Sequence, residues 1–202
     1  MKIILGSKSK GRKKILTQMG YKFSVMDPNI DEKSIRHKDP KKLVLAIARA
    51  KASALLPKIK KPSILITADQ VVLCNKKILE KPKNKHEAKK FLHMYAKYPA
   101  KTITAIVATN TTNKKQKSGV GIATIWFHPL PETVIKKLLK QECVLTCAGG
   151  FSIEGAILKK YILKIDGAKD SITGLPIKLT ERLIARVYRN RSIPLYDLAN
   201  AG

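Results

Sequence analysis

The chain alternates short apolar runs with longer segments in which apolar residues recur every three or four positions. Short apolar runs bounded by turn residues are typical of buried strands, whereas the longer spacing is typical of a helix with one buried face. The short runs predict strands at residues 2–5, 21–26, 63–67, 71–74, 78–79, 102–109, 121–127 and 161–165.

Helix starts are marked by residues that cap or begin a first turn. Asp39 followed by Pro40 is a strong start signal, and Asn84 is a second candidate cap. We predict helices at residues 13–19, 40–56 and 85–96, a helix opening at 131–132, and a final helix that opens at 174–176 and runs to 187.

The order of these elements indicates a mixed α/β fold. A polar turn at residues 110–117 joins two β-rich runs and predicts an antiparallel hairpin. A hairpin among the helices excludes a purely alternating, doubly wound sheet. We therefore predict a mixed twisted sheet with flanking helices, as one domain over residues 1–202 or as two lobes around a cleft.

Charge is the most unusual property of the composition. The 202 residues include 41 Lys and Arg against 14 Asp and Glu, a formal net charge of +27. The excess is mostly lysine spread along the chain, and aromatic residues are few, so a sequence-reading or base-stacking nucleic-acid surface is not indicated. We expect a solvated surface that attracts anionic ligands and at most nonspecific nucleic-acid binding.

Apolar runs and cysteines bear on the cellular compartment. No apolar run is long enough for a membrane span, and the apolar start is too short for a signal-peptide core. The three cysteines show no zinc-like pairing. We expect free thiols and a cytoplasmic protein without membrane contact.

The first candidate site is the loop after the first strand. Hydroxyls of Ser7 and Ser9 can donate to phosphate oxygens, as can the free N–H groups of the following helix start. Arg12 can clamp an anion bidentately. The alternative interpretation is an ordinary strand-to-helix turn in which Ser9 is only a cap.

Carboxylates supply the second candidate site. We expect Asp69 at the end of a buried strand, facing a crevice, where it can bind a divalent metal or act as a base toward water. Asp31 and Glu32 form an acidic loop, and Glu32 with Asp69 can supply the oxygen ligands that Mg²⁺ prefers. The alternatives are a structural aspartate bonded to local backbone and a solvated turn.

Lysines and a late glutamate complete the candidate set. Lys51, in a small apolar stretch, and Lys81, before Pro82, are candidate phosphate ligands, although most lysines in so basic a chain are only solvated. The carboxylate of Glu154 can accept two parallel hydrogen bonds, which suits the N1–H and N2–H₂ edge of guanine. The alternative is a turn or capping residue.

Taken together, these motifs resemble the Maf family of nucleoside triphosphate pyrophosphatases. The matches run in family order and span nearly the whole chain: the serine–arginine loop at Ser7, Ser9 and Arg12, then Asp31-Glu32, Lys51-Ala52, Asp69, Lys81-Pro82 and Gly174-Leu175-Pro176. The resemblance implies an inosine triphosphatase-like fold around a central cleft.

Three further motifs resemble the branch of the family that hydrolyses 7-methyl-GTP. They are Asp69-Gln70-Val71, Cys147-Ala148-Gly149 and Ser152-Ile153-Glu154-Gly155. The dTTP/UTP branch usually has Asp-Thr-Val and Ile-Gln-Gly at the corresponding places. Two positions depart from the pattern: Lys10 replaces a proline, and Gly11 lies where the 7-methyl-GTP branch usually carries a tryptophan. Gly11 cannot stack on a cationic base.

The resemblance implies a reaction in which a modified nucleoside triphosphate is hydrolysed to its monophosphate and pyrophosphate. Its implied catalytic residues are Glu32, Lys51, Asp69 and Lys81, with Glu32 and Asp69 also holding Mg²⁺ or Mn²⁺. Its implied substrate-binding residues are Ser7, Ser9, Gly11, Arg12, Gln70 and Glu154. A homodimer is expected from the family alone. The alternatives are the same reaction on dTTP or UTP, and a non-catalytic basic protein that binds nucleic acid or regulates division.

Overall fold

A seven-stranded sheet forms the centre of the computed structural model, which describes residues 2–188. The order across the sheet is β2-β1-β3-β5-β6-β7, and β4 pairs with part of β3. Strands β1, β2 and β3 are parallel, whereas β3, β5, β6 and β7 pair antiparallel in succession. The strands are β1 (Lys2–Gly6), β2 (Phe23–Val25), β3 (Ser63–Cys74), β4 (Lys77–Leu79), β5 (Ala100–Asn110), β6 (Gln116–Phe127) and β7 (Ile162–Asp166).

Helices flank this sheet, and several begin where the sequence predicts. The side chains of Ser9, Asp39 and Asn84 each accept a hydrogen bond from a first-turn N–H, which confirms all three as caps. The α-helices are α1 (Lys10–Gln18), α2 (Pro40–Leu55), α3 (Lys85–Met94), α4 (Glu132–Leu138), α5 (Cys143–Thr146), α6 (Ala156–Lys159), α7 (Lys169–Thr173) and α8 (Ile177–Tyr188). Short 3₁₀ turns occur at Glu32–Ser34, Leu56–Lys58 and Ala148–Gly150.

Apolar side chains form three clusters against the sheet. One joins α1 and α8 to β1 and β3, and a second joins α2 to β1, β3 and β5. Because side chains alternate along a strand, β3 contributes Ala68 to the first cluster and Val71 to the second. Helix α2 lies close to β3, where Thr67 Oγ1 donates to the carbonyl oxygen of Ala48 at 2.7 Å. The sheet therefore separates α1 from α2.

The third cluster surrounds three aromatic rings beyond the middle of β3. Tyr95, Phe127 and Phe151 have ring centroids 5.3–5.7 Å apart in tilted and edge-on arrangements. The Tyr95 hydroxyl donates to the carbonyl oxygen of Gly149 at 2.6 Å. Gly149 has a φ of 70°, and a Cβ there would lie 2.6 Å from that hydroxyl and 2.7 Å from Val72. The segment 148–151 is therefore a packed turn.

The mixed α/β prediction is confirmed, and several elements differ from expectation. The runs at 63–67 and 71–74 form one continuous strand, β3. Helix α1 begins at Lys10 rather than at residue 13. Helices α5, α6 and α7 were not predicted, because four or five residues are too few to show a helical period. Within residues 2–188, none of the helices combines the length and apolarity that a bilayer crossing requires.

Candidate active site

The site begins where β1 ends. The last β1–β3 pair joins Gly6 to Thr67, so the next residues of β3 have no strand partner on that side. The carbonyl oxygen of Ala68 lies there and accepts from Arg12 Nη1 at 2.8 Å and from Lys51 Nζ at 3.4 Å. Arg12 belongs to α1 and Lys51 to α2, so cations from the two faces of the sheet meet at one backbone atom.

Asp69 follows directly and corrects one prediction. It lies in the middle of β3, paired with Ala105 of β5, and not at a strand end. Beside Asp69 the neighbouring strand β1 has already ended, whereas β3 continues to Cys74. Strand alternation directs Asp69 toward the α2 face, where Oδ1 accepts from Lys51 Nζ at 2.8 Å.

Lys51 also binds the second predicted carboxylate. Its Nζ lies 2.9 Å from Glu32 Oε1, so one ammonium bridges Glu32 and Asp69. The Lys51 and Asp69 side chains are 6% and 9% exposed, whereas Glu32 is 43% exposed. Asp31 has a separate task, because its carboxylate accepts from the N–H of Lys33 and caps the turn that carries Glu32. The group is therefore buried at Lys51 and Asp69 and exposed to solvent at Glu32.

Burial determines the electrostatics of this group. It raises the pKa of Asp69 above its ordinary value, an effect that the nearby charges of Lys51 and Arg12 oppose. Burial likewise lowers the pKa of Arg12, opposed by the charges of Asp69 and Glu32. The carboxyl group of Asp69 is thus more basic than a solvated aspartate, which suits a proton acceptor.

The loop after β1 is held by hydrogen bonds that leave the hydroxyl protons of Ser7 and Ser9 available. Ser7 Oγ accepts from the N–H of Ser9 at 3.3 Å and from Arg12 Nη1 at 3.1 Å. Ser9 Oγ accepts from the N–H of Arg12. Both hydroxyls therefore act as acceptors within the loop, and each can still donate its own proton to an anion. The start of α1 adds free N–H groups at the same place.

Arg12 is more constrained than the sequence suggests. Its Nε donates to the carbonyl oxygen of Gly174 at 3.0 Å, and its Nη1 is shared between Ser7 and Ala68. Only Nη2 makes no hydrogen bond to the described residues, so Arg12 offers one nitrogen to a phosphate in place of the expected bidentate clamp. The hydrogen bonds of Nε and Nη1 fix the guanidinium in a residue that is only 8% exposed.

Gly11 faces protein and not an open crevice. A Cβ at this position would lie 2.9 Å from the carbonyl oxygen of Thr173 and 3.0 Å from its methyl group. A larger side chain at position 11 requires α7 to move away from α1. The glycine at position 11, where the resemblance predicts an aromatic residue, is therefore coupled to the packing of α7.

Gln70 lies on the opposite face of β3 from Asp69, toward α7. Its Nε2 donates to the carbonyl oxygens of Ser171 and Ile172 at 2.9 and 3.1 Å, and to Thr104 Oγ1 at 2.9 Å. A Cβ on Gly174 would lie 3.2 Å from Gln70 Oε1, which places that oxygen beside the same turn. The carboxamide therefore holds the end of α7 in position.

Lys81 and Glu154 lie apart from this group. The structure gives neither a contact with Glu32, Lys51 or Asp69, and both side chains are exposed. Both side chains act on the thiol of Cys147. Burial is the largest influence and raises the pKa of this thiol, the charge of Lys81 lowers the pKa, and the charge of Glu154 raises it. They thus belong to one further group of residues, which Lys14 of α1 joins through an ion pair with Glu154 at 2.8 Å.

Comparison with known proteins gives this arrangement a family. A family model described as Maf-like protein matches residues 2–187. The chain belongs to the Maf family. The family resemblance predicted from the sequence is therefore confirmed.

Individual relatives of this Maf protein carry two kinds of name. A 7-methyl-GTP pyrophosphatase of Dictyostelium discoideum is 43% identical over 192 residues, covering 92% of this chain and 96% of that protein. A dTTP/UTP pyrophosphatase of Vibrio vulnificus is 30% identical over 183 residues, covering 91% and 97%. Among solved structures, a dITP/XTP pyrophosphatase from Mycobacterium abscessus superposes with a TM-score of 0.44 at 10% identity, covering 92% of this chain and 95% of that one. A similarity this low carries no argument about function.

The carboxylates of the Maf chain have oxygen atoms free for a metal ion. No cluster of three or more His, Cys, Asp or Glu side chains within residues 2–188 is arranged to hold a metal ion. Glu32 and Asp69 each use one oxygen on Lys51, which leaves a second oxygen on each. Mg²⁺ is typically held by one or two carboxylates together with substrate phosphates and water, so the pair fits a cation that arrives with a nucleotide.

Sequence reasoning missed three contributors to the site. The carbonyl oxygens of Ala68 and Gly174 orient the cations, and Lys14 binds Glu154. Backbone carbonyls give no residue-type signal, and Lys14 is one of many lysines in the chain. Only the Gly-Leu-Pro motif, which includes Gly174, indicated that this turn mattered.

Proposed function

We propose that this Maf protein hydrolyses a nucleoside triphosphate to its monophosphate and pyrophosphate. The observation that carries the proposal is the buried Lys51 ammonium bridging Glu32 and Asp69, beside the Arg12 guanidinium and the serine loop. A crevice that combines carboxylates with fixed cations suits phosphoanhydride hydrolysis, which needs a proton acceptor and stabilisation of developing negative charge. The names of the relatives support the same reaction.

The phosphates bind to donors that the fold has already fixed. Ser7 and Ser9 donate their hydroxyl protons, and Arg12 offers Nη2 beside the N–H groups that begin α1. Because Nε and Nη1 of Arg12 are held by protein carbonyls and Ser7, the guanidinium needs no reorganisation when charge develops on the phosphates. Lys81 adds a cation from the further group of residues.

Asp69 accepts a proton from the attacking water. Burial makes its carboxylate more basic, while the Lys51 ammonium, hydrogen-bonded to Oδ1, favours its ionised form. Lys51 also aims the carboxylate by fixing one of its oxygens. Oδ2 is the oxygen left for the water, and Glu32 lies on the more exposed side of the same ammonium.

A divalent cation, Mg²⁺ or Mn²⁺, is part of the proposal. Glu32 Oε2 and one lone pair of Asp69 Oδ2 would hold it, which leaves the other lone pair of Oδ2 for the proton of the water. When bound, the cation supplies electrophilic polarisation of the phosphate oxygens. Family membership and the donor chemistry support this assignment.

We assign 7-methyl-GTP, or another modified guanine nucleotide, as the substrate. The more similar relative carries that name, and Glu154 presents a carboxylate that suits the two donors on the guanine edge. Gln70 and Gly11 contribute to substrate binding indirectly, because both contact α7 and keep it beside the site. The alternative is dTTP or UTP, supported by the name of the Vibrio relative. Removal of modified nucleotides is the corresponding cellular role.

Compartment and partners complete the proposal. We place the protein in the cytoplasm, supported by free thiols at Cys74, Cys143 and Cys147. The resemblance supports a homodimer, and the diffuse lysine charge supports nucleic-acid contact that is nonspecific only. A non-catalytic, nucleic-acid-binding role is disfavoured because carboxylates in the crevice repel a polymer phosphate.

The test is pyrophosphate release by wild type and Asp69→Asn from GTP, 7-methyl-GTP, UTP and dTTP, with Mg²⁺ or Mn²⁺. Asp69→Asn should fold, because Lys51 keeps Glu32 and the Ala68 carbonyl as partners, and should lose activity. Asp166→Asn, a change on the exposed strand β7, is the matched control and should retain activity. Full turnover by Asp69→Asn, or salt-sensitive DNA binding without any hydrolysis by wild type, would overturn the proposal.

A further inference from the structure

Helix α1 reaches across to the α5–α6 segment through two ion pairs one helical turn apart. Lys10 Nζ lies 2.9 Å from Glu142 Oε2, and Lys14 Nζ lies 2.8 Å from Glu154 Oε1. All four side chains are at least 38% exposed. Exposed ion pairs add little to folding stability, so a role for either pair must be sought elsewhere.

The two pairs differ in their surroundings. The charge of Glu154 acts on the Cys147 thiol together with that of Lys81, a candidate phosphate ligand. The backbone N–H of Glu154 donates to Ser152 Oγ at 3.3 Å, which fixes the turn that carries it. The side chain beyond that turn has one described partner, the Lys14 ammonium on Oε1.

We propose that Lys14 is a positioning residue that determines base selectivity by aiming Glu154. This inference rests on the proposed function. Two parallel hydrogen bonds to a guanine edge require a carboxylate that is held in one rotamer. The hydrogen bond from Lys14 restricts that rotamer and occupies only one lone pair of Oε1, which leaves the other lone pair and Oε2 for the base.

The placement of Lys14 explains why the effect falls on the base end. Arg12 and the serine loop lie at the start of α1, whereas Lys14 is in its second turn and contacts Glu154, not the phosphate donors. Loss of Lys14 therefore frees the Glu154 side chain to rotate, without removing a phosphate donor. Guanine nucleotides should lose more affinity than pyrimidine nucleotides.

The experiment measures calorimetric binding of non-hydrolysable α,β-methylene analogues of GTP and UTP to the full chain with Mg²⁺. In Lys14→Met, GTP-analogue affinity should fall about tenfold more than UTP-analogue affinity, the equivalent of one hydrogen bond to a charged group. Lys14→Arg should restore the preference, because arginine keeps a donor within reach of Oε1. Glu142→Gln, which breaks the neighbouring ion pair, is the matched control and should keep the wild-type ratio.

Any result other than a selective loss of GTP-analogue affinity contradicts the positioning role of Lys14. An unchanged ratio in Lys14→Met overturns the inference, as does an equal loss for both analogues, which would indicate a phosphate role. A change of ratio in Glu142→Gln would indicate general loosening of the cleft and would also overturn it. Because binding is measured without turnover, wild-type binding without pyrophosphate release refutes the proposed reaction while the Lys14 test still gives its answer.

Discussion

Replacing Lys51 by methionine removes the cation that balances a buried aspartate while keeping most of the side-chain volume. At 2.8 Å and an effective dielectric constant of roughly 20, the Lys51–Asp69 attraction is about 6 kcal/mol before the cost of desolvating both charges. Removing one partner of a buried pair typically costs about 3–5 kcal/mol. Glu32 adds little to this figure, because its carboxylate is 43% exposed and can turn to solvent.

The expected result is a loss of about 3–5 kcal/mol in the free energy of unfolding at neutral pH, a large fraction of the stability of a typical domain. Urea denaturation monitored by circular dichroism measures it. Lys42→Met, an exposed change on the same helix α2, is the matched control and should lose far less. Pyrophosphate release should also fall in Lys51→Met, because Asp69 is no longer held ionised and aimed.

The pH dependence separates charge burial from lost packing. The folded pKa of Asp69 already lies above its ordinary value, and loss of the Lys51 charge raises it further. For an acid with a raised folded pKa, the stability contribution is present below the unfolded pKa and is lost as the pH rises through the folded pKa. The deficit of Lys51→Met should therefore shrink on acidification from about pH 8 to about pH 5, by at most ~1.4 kcal/mol per pH unit.

A double variant provides the decisive comparison. Lys51→Met combined with Asp69→Asn removes both charges of the buried pair, so it should recover much of the lost stability, with a coupling of about 2 kcal/mol. The reasoning fails if the Lys51→Met deficit is independent of pH, or if the double variant loses the sum of the two single changes.

Two further changes test packing around the site. Gly11→Ala should lower the free energy of unfolding by about 1–3 kcal/mol, because the new Cβ meets the Thr173 carbonyl at 2.9 Å and this clash outweighs the helical preference for alanine. Urea denaturation measures this change, and a variant as stable as wild type would contradict the close contact. Tyr95→Phe should cost about 1–3 kcal/mol in the same assay by leaving the Gly149 carbonyl unpaired. Tyr98→Phe, at an exposed tyrosine, should be neutral, and equal losses in both tyrosine variants would refute the role of the buried hydrogen bond.

The hydrophobic pattern predicted most strands and the capped helices, but it was wrong about β3. Asp69 and Gln70 interrupt an apolar run, and polar residues there usually mark the end of a strand. They are tolerated in mid-strand because Lys51 neutralises Asp69 and the amide of Gln70 binds the carbonyls of α7. Both partners come from distant segments, so no local pattern contains the information.

The site residues chosen from sequence are only partly assembled by the structure. Glu32, Lys51 and Asp69 meet as a group, whereas Lys81 and Glu154 lie apart from it. Residue type and order can indicate which side chains carry chemistry, but not how far apart the backbone holds them.

The shared carbonyl of Ala68 has a consequence for how the chain can vary. Arg12 and Lys51 reach it from helices whose apolar faces pack in separate clusters, around Leu16 on one side of the sheet and Ala48 on the other. A repacking that shifts either helix displaces one cation relative to the other, even where the melting temperature is unchanged. Interior positions on both sides of the sheet therefore act on one point of the site, so substitutions in the two halves of the core are expected to be coupled.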